Sequence, residues 1–463
     1  MAKNKTIFVC AACGHQSPRW LGRCPACNAW GSLAEERERA NPSTTSLSQR
    51  AQAAHAGGSV RAMALSDVTS DAARRIPTGI QELDRVLGGG PVAGGVVLVG
   101  GDPGIGKSTL LLQALAGVAA QDGTALYVTG EESAAQIALR AERLETPGIS
   151  RVQVLATTDL EDVEELLARD TPAVVVIDSI QTLRCRELES SAGSVSQLRE
   201  VTARLVDMAK ARGLSLFLIG HVTKEGAIAG PKVLEHLVDT VLSFEGDATQ
   251  AFRILRATKN RFGPAHEMGV FEMLREGLIE VADPSAMFLS ERPKHAAGSL
   301  VVPTLQGNRP LLIEVQALVA QAAYGSARRV ATGVDSSRLA ILLAVLDRKA
   351  HVQVLDQDVF VSVVGGARVD EPAVDLALLL AIASSLRDRP LSPETVVFGE
   401  VGLTGEVRAV ARAGLRLAEA RKLGFTRAIL PLGCVERLRE SERDGLTLVG
   451  VRDVHQALQA AFG

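Results

Sequence analysis

The spacing of apolar residues divides the chain into four stretches. Residues 1–33 are organised around cysteine rather than aliphatic side chains and read as a compact finger. Residues 34–64 read as a flexible linker. In AEERERANPSTTSLSQRAQAAHAGGS the one large apolar residue is Leu47, and Ser, Ala, Gln and Gly predominate. From Leu65 short apolar runs alternate with amphipathic segments. GGVVLVG (94–100), ALYVTG (125–130), AVVVIDS (173–179) and LSLFLIGH (214–221) have the length and continuity of strands buried on both faces. Helix-like segments lie between them, which predicts a parallel sheet covered by helices over 65–284. Alternation continues through FRILRATKNRFG and GVFEML and breaks near EVADPSAMF.

A second α/β unit is expected over 285–463. SLVVPTLQ and LLIEVQALV flank a GNRP turn, and a helix SSRLAILLAVLDRKA follows. Then come VFVSVVGG, the helix AVDLALLLAIASSL, a hairpin around GLTGE, the helix AGLRLAEARKLG, the strand RAILP and a last strand–helix pair.

Composition narrows this picture. With 463 residues the chain exceeds one ordinary domain, and with 3% aromatics its cores have to be built from Val, Leu, Ile and Ala. A net charge of −3 gives no general attraction to polyanions, so any nucleic-acid site has to be local. PAVDLALLLAIASSL, the run nearest to membrane-spanning length, is interrupted by Asp375, and the N-terminus lacks an apolar region of signal-peptide length. These features predict a cytoplasmic protein without a membrane partner.

Four of the six cysteines fall within the first 27 residues. Cys10, Cys13, Cys24 and Cys27 form two CxxC pairs ten residues apart, spacing that closes a tetrahedral zinc site. Two redox pairs are the alternative, disfavoured because so small a unit needs a staple. Both tryptophans, Trp20 and Trp30, lie in this finger. Packing over the zinc site is the expected role; stacking on a base or a partner is the other.

GDPGIGKS, Gly101 to Ser108, fits the phosphate-loop pattern in full, after an apolar strand and before an apolar helix. The nucleotide-binding run is Gly101, Asp102, Pro103, Gly104, Ile105, Gly106, Lys107, Ser108 and Thr109. Amides of Gly104, Ile105 and Gly106 are expected to cradle phosphates. Lys107 is expected to neutralise the β- and γ-phosphates, and Ser108 to ligate magnesium. AVVVIDS supplies Asp178, the expected magnesium carboxylate, holding the ion directly or through a ligand of it. YVTGEES puts Glu131 just past a strand end, a candidate to activate water, with Glu132 as the substitute. The same pair could instead be an acidic helix N-terminus. His221 is either a γ-phosphate sensor or a structural histidine. Lys259 and Arg261 in KNRFG should project from one side of a strand end, where two cations need an anion between them.

IPTGIQELDRVLGGG (76–90), GDPGIGKST, YVTGEES, VVVIDS and KNRFG stand in the order of the bacterial RadA (Sms) family of DNA-repair ATPases, which the chain resembles over nearly its whole length. The resemblance implies a RecA-like P-loop ATPase core with an N-terminal four-cysteine zinc finger and a C-terminal Lon-protease-like α+β domain. It implies ATP, Mg2+ and Zn2+ as cofactors, and a homo-oligomeric ring, in expectation hexameric. It further implies a DNA-dependent motor on single-stranded DNA that drives branch migration of recombination intermediates beside a RecA-type recombinase. In such rings the nucleotide lies between subunits, so Lys259 and Arg261 become a cation pair for the neighbour's γ-phosphate; contact with DNA phosphate is the other reading. Loops facing the ring centre would carry Arg184, Arg186, Lys224 and Lys232 as DNA contacts. Neither loop holds an aromatic.

The C-terminal unit resembles the proteolytic domain of Lon, which uses a Ser–Lys dyad. Here DEPAVD puts Ala373 in the serine's place, and ARAGLRLAEAR contains no lysine. The unit is therefore expected to be a scaffold, with Arg328, Arg329, Arg338, Lys349 and Arg368 as candidate DNA-facing cations. An ATP-switched binding or signalling module without motor activity remains the rival reading of the whole chain.

Overall fold

The computed structural model describes residues 5–10, 16–25, 30–31, 33–38, 74–221, 233–246, 252–265, 267–322, 327–364 and 369–463. Cys13, Cys27, Lys224, Lys232 and Arg368 lie outside the described residues, as does the side chain of His221. The chain divides into two compact units, Met1–Val281 and Ala282–Gly463.

The first unit opens with β1 (Lys5–Cys10), β2 (Gln16–Ser17) and β3 (Leu33–Glu38), a small antiparallel sheet in the order β2-β1-β3. β3 pairs with β1 from Cys10↔Leu33 to Lys5↔Glu38. The ordered ribbon thus runs into the stretch expected to be linker. Its sequence, LAEERE, lacks apolar alternation, and backbone pairing to β1 along all six residues makes it a strand.

The rest of this unit comprises α1 (Gln81–Leu87), β4 (Val96–Gly101), α2 (Lys107–Ala120), β5 (Ala125–Thr129), α3 (Ala134–Leu144), β6 (Gln153–Ala156), α4 (Leu160–Arg169), β7 (Val174–Asp178), α5 (Val195–Arg212), β8 (Ser215–His221), α6 (Val233–Leu237), β9 (Thr240–Glu245), β10 (Phe252–Asn260), β11 (Met268–Leu274) and β12 (Gly277–Glu280). They form one sheet, β12-β11-β10-β9-β4-β8-β7-β5-β6. From β9 to β6 neighbouring strands are parallel; β9 to β12 are joined antiparallel. Successive strand residues point to opposite faces. Val97, Val99, Val174 and Val176 therefore pack under α2 through Leu111 and Leu115. Val96, Leu98, Val175 and Ile177 pack on the other face under α4 and α5 through Val163, Leu198 and Leu205. Burial on both faces explains the unbroken apolar runs.

IPTGIQELDRVLGGG and KNRFG meet in space. α1 ends at Gly88, φ 83°, and Asn260 Nδ2 donates to the α1 carbonyls of Val86 and Leu87 at 3.4 Å. Arg75 donates to Leu87 O and Gly90 O and also to Phe262 O. A Cβ on Gly263 would lie 3.3 Å from Gly88 Cα, so both positions have to stay small.

The second unit contains α7 (Pro284–Leu289), β13 (Ser299–Gln306), β14 (Arg309–Gln321), β15 (Arg329–Thr332), α8 (Ser336–Ala350), β16 (Gln357–Val363), α9 (Asp375–Leu386), β17 (Thr395–Val397), β18 (Glu400–Val401), β19 (Val407–Arg408), α10 (Ala413–Lys422), β20 (Arg427–Pro431), α11 (Leu432–Arg437), α12 (Glu440–Arg443), β21 (Thr447–Val451) and α13 (Val454–Phe462). Its mixed sheet has the order β15-β16-β14-β13-β17-β20-β21. α9 is apolar almost throughout because it is buried on nearly every side. No helix among the described residues is long and apolar enough to cross a membrane.

Candidate nucleotide site

Because β4, β5, β7 and β8 run parallel, their C-terminal ends lie on one sheet edge. That edge collects Gly101, Thr129, Asp178 and the backbone of His221, which pairs with Gly101. The phosphate loop closes there. Gly104 (φ 78°) and Gly106 (φ 115°) take conformations that side chains resist, and a Cβ on Gly106 would meet Met273 Cε at 2.6 Å. The loop then feeds α2, whose first turn presents backbone N–H groups to an anion.

Lys107 is buried, and its Nζ donates to Gly101 O at 2.7 Å and Asp102 O at 2.9 Å. Burial pulls its pKa below the usual lysine value, while Asp178, Asp102 and Glu131 pull it back up. The ammonium thus sits within the field of the expected magnesium and water-activating carboxylates.

Asp178 ends β7, and its Oδ2 accepts a hydrogen bond from the Tyr127 hydroxyl. The Ser108 side chain lies near the same phenol and acts to lower its pKa. Burial first, then Asp178, raises the Tyr127 pKa far above its ordinary value, so the phenol stays protonated and can donate. The phenol thus orients Asp178 and stands next to Ser108, and the two residues offer oxygens suited to a hard cation. This donor set fits magnesium: Ser108 and Asp178 would hold it, and it would supply charge neutralisation to the phosphates. Tyr127 escaped sequence reasoning; the one signal was a phenol flanked by aliphatic residues in the middle of a fully buried strand.

Glu131 follows β5, and its Oε1 accepts from Ser179 Oγ at 2.5 Å. Ser179 is buried and adjoins Asp178, so this contact keeps Glu131 beside the phosphate edge. Glu132 is held elsewhere, by Arg140 on α3 at 2.5 Å. The N-cap of α3 is Ser133, in a capping box with Gln136, so Glu131 lies ahead of the helix and does not cap it.

Lys259 and Arg261 are not on this edge. β10 is antiparallel to β9, and Asn260 pairs with Thr240, which pairs with Val97 near the start of β4. From Val97 to Gly101 is four residues, about 13 Å at ~3.3 Å per residue. The two cations thus stand at the opposite edge, beyond reach of their own phosphate loop. Within the chain, Lys259 Nζ donates to Glu235 O (2.6 Å) and Val238 O (2.7 Å) around the end of α6, while Arg261 Nη1 meets Asp239 Oδ1 at 3.1 Å. Burial, then the neighbouring Arg261, pushes the Lys259 pKa down. Arg261 remains 54% exposed. Asp239, which no sequence pattern singles out, also accepts from the Val96 amide at 3.2 Å.

Arg184 and Arg186 do not form an open basic loop. Both bind Asp159, at 2.7 and 2.6 Å, and Arg186 also meets Asp162 at 3.1 Å. These contacts hold the Asp159 carboxyl below its usual range, through Arg184 first. With Glu161 alongside, this surface carries no excess of positive charge. Arg338 is likewise paired within the chain, half-buried and bound to the buried Asp375 and to Val401 O at 2.8 Å. Arg328, Arg329 and Lys349 are exposed.

In the ribbon, Cys10 and Cys24, one from each CxxC, are fully buried in one cluster with Leu33, against Phe8 and Leu21. Two thiols from separate turns converging in one cluster fit zinc, with Cys13 and Cys27 to complete the set. The tryptophans depart from expectation. Trp20 is 58% and Trp30 77% exposed, because Leu33, Phe8 and Leu21 already cover the cysteines.

In the second unit Ala373 is buried, and Arg416 reaches its segment at Glu371. Arg416 is 1% exposed and binds Glu371 through both terminal nitrogens at 2.8 and 2.7 Å, and Pro303 O at 2.7 Å.

Comparison with known families agrees with this organisation. Residues 8–35 match the rubredoxin metal binding domain, residues 61–227 an AAA domain, and residues 336–463 the Lon protease (S16) C-terminal proteolytic domain. The chain is 46% identical over 466 residues to the DNA repair protein RadA of Bacillus subtilis (strain 168), covering the whole of both. It is 48% identical over 461 residues to the protein of that name from Listeria monocytogenes, covering all of this chain and 99% of the other. A relative from Streptococcus pyogenes, also named DNA repair protein RadA, is 47% identical over the full length of both.

Proposed function

The chain belongs to the RadA family of DNA repair proteins, and from that premise we propose that it is a ring-forming motor on single-stranded DNA. It is a DNA repair ATPase with ATP, magnesium and zinc as cofactors. The proposal adds how hydrolysis is organised and used. Each phosphate loop takes its γ-phosphate cations from a neighbouring subunit, and Glu131, held by Ser179, orients the attacking water. Turnover advances the ring along the strand and extends heteroduplex at recombination joints, working beside a RecA-type recombinase in the cytoplasm.

The observation that carries this reading is the position of Lys259 and Arg261 at the sheet edge opposite their own phosphate loop. Cations of that pattern serve a nucleotide when a second copy brings one to them. A hexamer is the expected closed ring.

The C-terminal unit serves as a scaffold. Peptide cleavage needs a nucleophile and a base, and this unit offers the buried methyl of Ala373 and a guanidinium locked to Glu371. Arginine stays protonated in proteins and accepts no proton. The test is ATP hydrolysis with and without single-stranded DNA, with Lys107→Ala as the blank. Strong stimulation that the blank lacks supports the motor. A slow rate indifferent to DNA overturns it in favour of an ATP-gated binding switch.

A further inference from the structure

The ribbon exposes the two side chains a protein has most reason to cover. The chain has two tryptophans, and both are largely solvent-facing although aromatics are scarce elsewhere. They share one small surface. A Cβ built on Gly22 would lie 3.8 Å from Trp20 Cη2 and 3.9 Å from Trp30 Cζ3, so both rings converge on that glycine. The backbone beneath is fixed: Arg23 and Trp30 form an antiparallel bridge, and Gly31 N donates to Gly22 O at 2.8 Å. Ser17 Oγ donates to Arg19 O at 2.7 Å and holds the approach to Trp20. Arg19, next to Trp20 in the chain, and Arg23 are both exposed, and the Arg23 guanidinium lies 5.7 Å from the Trp30 centroid.

Resting on the DNA reading above, we propose that this face is a stacking platform for single-stranded nucleic acid. Bases lie on Trp20 and Trp30, and Arg19 and Arg23 meet the flanking phosphates. Indole accepts the π-face of any base, so the platform is sequence-tolerant. The cations favour a polyanion over an apolar protein surface. The need is also clear: the core loops expected to meet DNA contain no aromatic, so stacking has to come from elsewhere in the chain.

Since both tryptophans lie here, intrinsic tryptophan emission of the full-length zinc-bound protein reports on this face. It is titrated with oligothymidylate about 20 nucleotides long, while anisotropy of a labelled oligomer reports total binding. The expected result is quenching that follows the anisotropy curve. Trp20→Ala with Trp30→Ala weakens binding about 10- to 100-fold at unchanged zinc content and circular dichroism. Arg19→Gln with Arg23→Gln lowers the salt dependence instead. Anisotropy that saturates while emission stays constant overturns the platform and leaves the DNA reading standing. No anisotropy change at all overturns both. Emission that ignores the oligomer and responds to a purified RecA-type recombinase makes the face a protein-docking site and refutes the proposal.

Discussion

Subunits that lack the Lys259–Arg261 charges should be rescued by subunits that lack Lys107. The suitable variant is Lys259→Gln with Arg261→Gln, because glutamine can still donate to Glu235 O, Val238 O and Asp239. Asp239 keeps its bond from the Val96 amide, and its partner Arg261 is more than half exposed, so the lost charge pair costs about 1 kcal/mol or less. Folding should therefore survive, and hydrolysis should not: a cation that meets the transferring phosphoryl group is worth ~10³-fold or more. On the proposed reading, each site needs one subunit's phosphate loop and another's cations. In an equal mixture with Lys107→Ala, half of the loops and half of the cation pairs are intact, and they coincide at about a quarter of the interfaces. The mixture should thus regain about a quarter of wild-type ATPase activity, although each parent is nearly inactive. A steady-state phosphate-release assay after subunit exchange reads this directly. A mixture no more active than its parents would refute the shared site, because cations acting in their own chain cannot be rescued by mixing.

Further expectations follow from the same geometry. Tyr127→Phe keeps the ring but removes the hydroxyl that donates to Asp178, and should raise the magnesium needed for half-maximal hydrolysis about 10-fold, read by magnesium titration at saturating ATP. Glu131→Gln should lower kcat about 100-fold or more with ATP binding retained, whereas Glu132→Gln, which loosens only the Arg140 contact, should keep most activity; the reverse order would exchange their roles. Glu371→Gln should destabilise the C-terminal unit by about 3 kcal/mol at neutral pH, because it leaves the Arg416 charge buried without its partner. Arg416 overcomes burial and holds the folded Glu371 pKa below 4.5. The stabilisation is therefore complete above pH 4.5 and lost as pH falls through the lowered folded value. Thermal melts of wild type and variant should converge in acid, and a constant difference down to pH 2 would refute the assignment.

Much of the architecture was legible because its signals are local. The helix SSRLAILLAVLDRKA and the strand SLVVPTLQ match α8 and β13 residue for residue, since apolar period and turn residues lie within each element. The phosphate loop was legible for the same reason: its glycines, lysine and serine are consecutive. β3 was not, because LAEERE becomes a strand through its pairing with β1. Nor was the neutralisation of Arg184 and Arg186, which depends on Asp159 from a different loop. The tryptophans misled because aromatic residues in a cysteine-rich ribbon are expected to cover the cysteines, and here Phe8, Leu21 and Leu33 do so.

The cation pair marks the boundary between the two kinds of information. That Lys259 and Arg261 need an anion follows from their spacing alone. Which anion depends on the edge they occupy, and that is fixed by β10 running antiparallel to β9, a pairing that no local pattern specifies. The same antiparallel turn lets Asn260 cap α1 and brings Gly263 against Gly88. KNRFG therefore does two jobs: its Asn and Gly lock the strand end onto IPTGIQELDRVLGGG, and that lock holds its two charges in place at the far edge. A substitution at Asn260 should accordingly weaken hydrolysis through position rather than charge. The loss should be smaller than that of the cation variants, and conservative Asn260→Asp, which keeps the acceptor for the Phe262 amide, should recover part of it. Equal loss in Asn260→Asp and Asn260→Ala would mean that the cap to α1, not the turn at Phe262, carries the whole positioning effect.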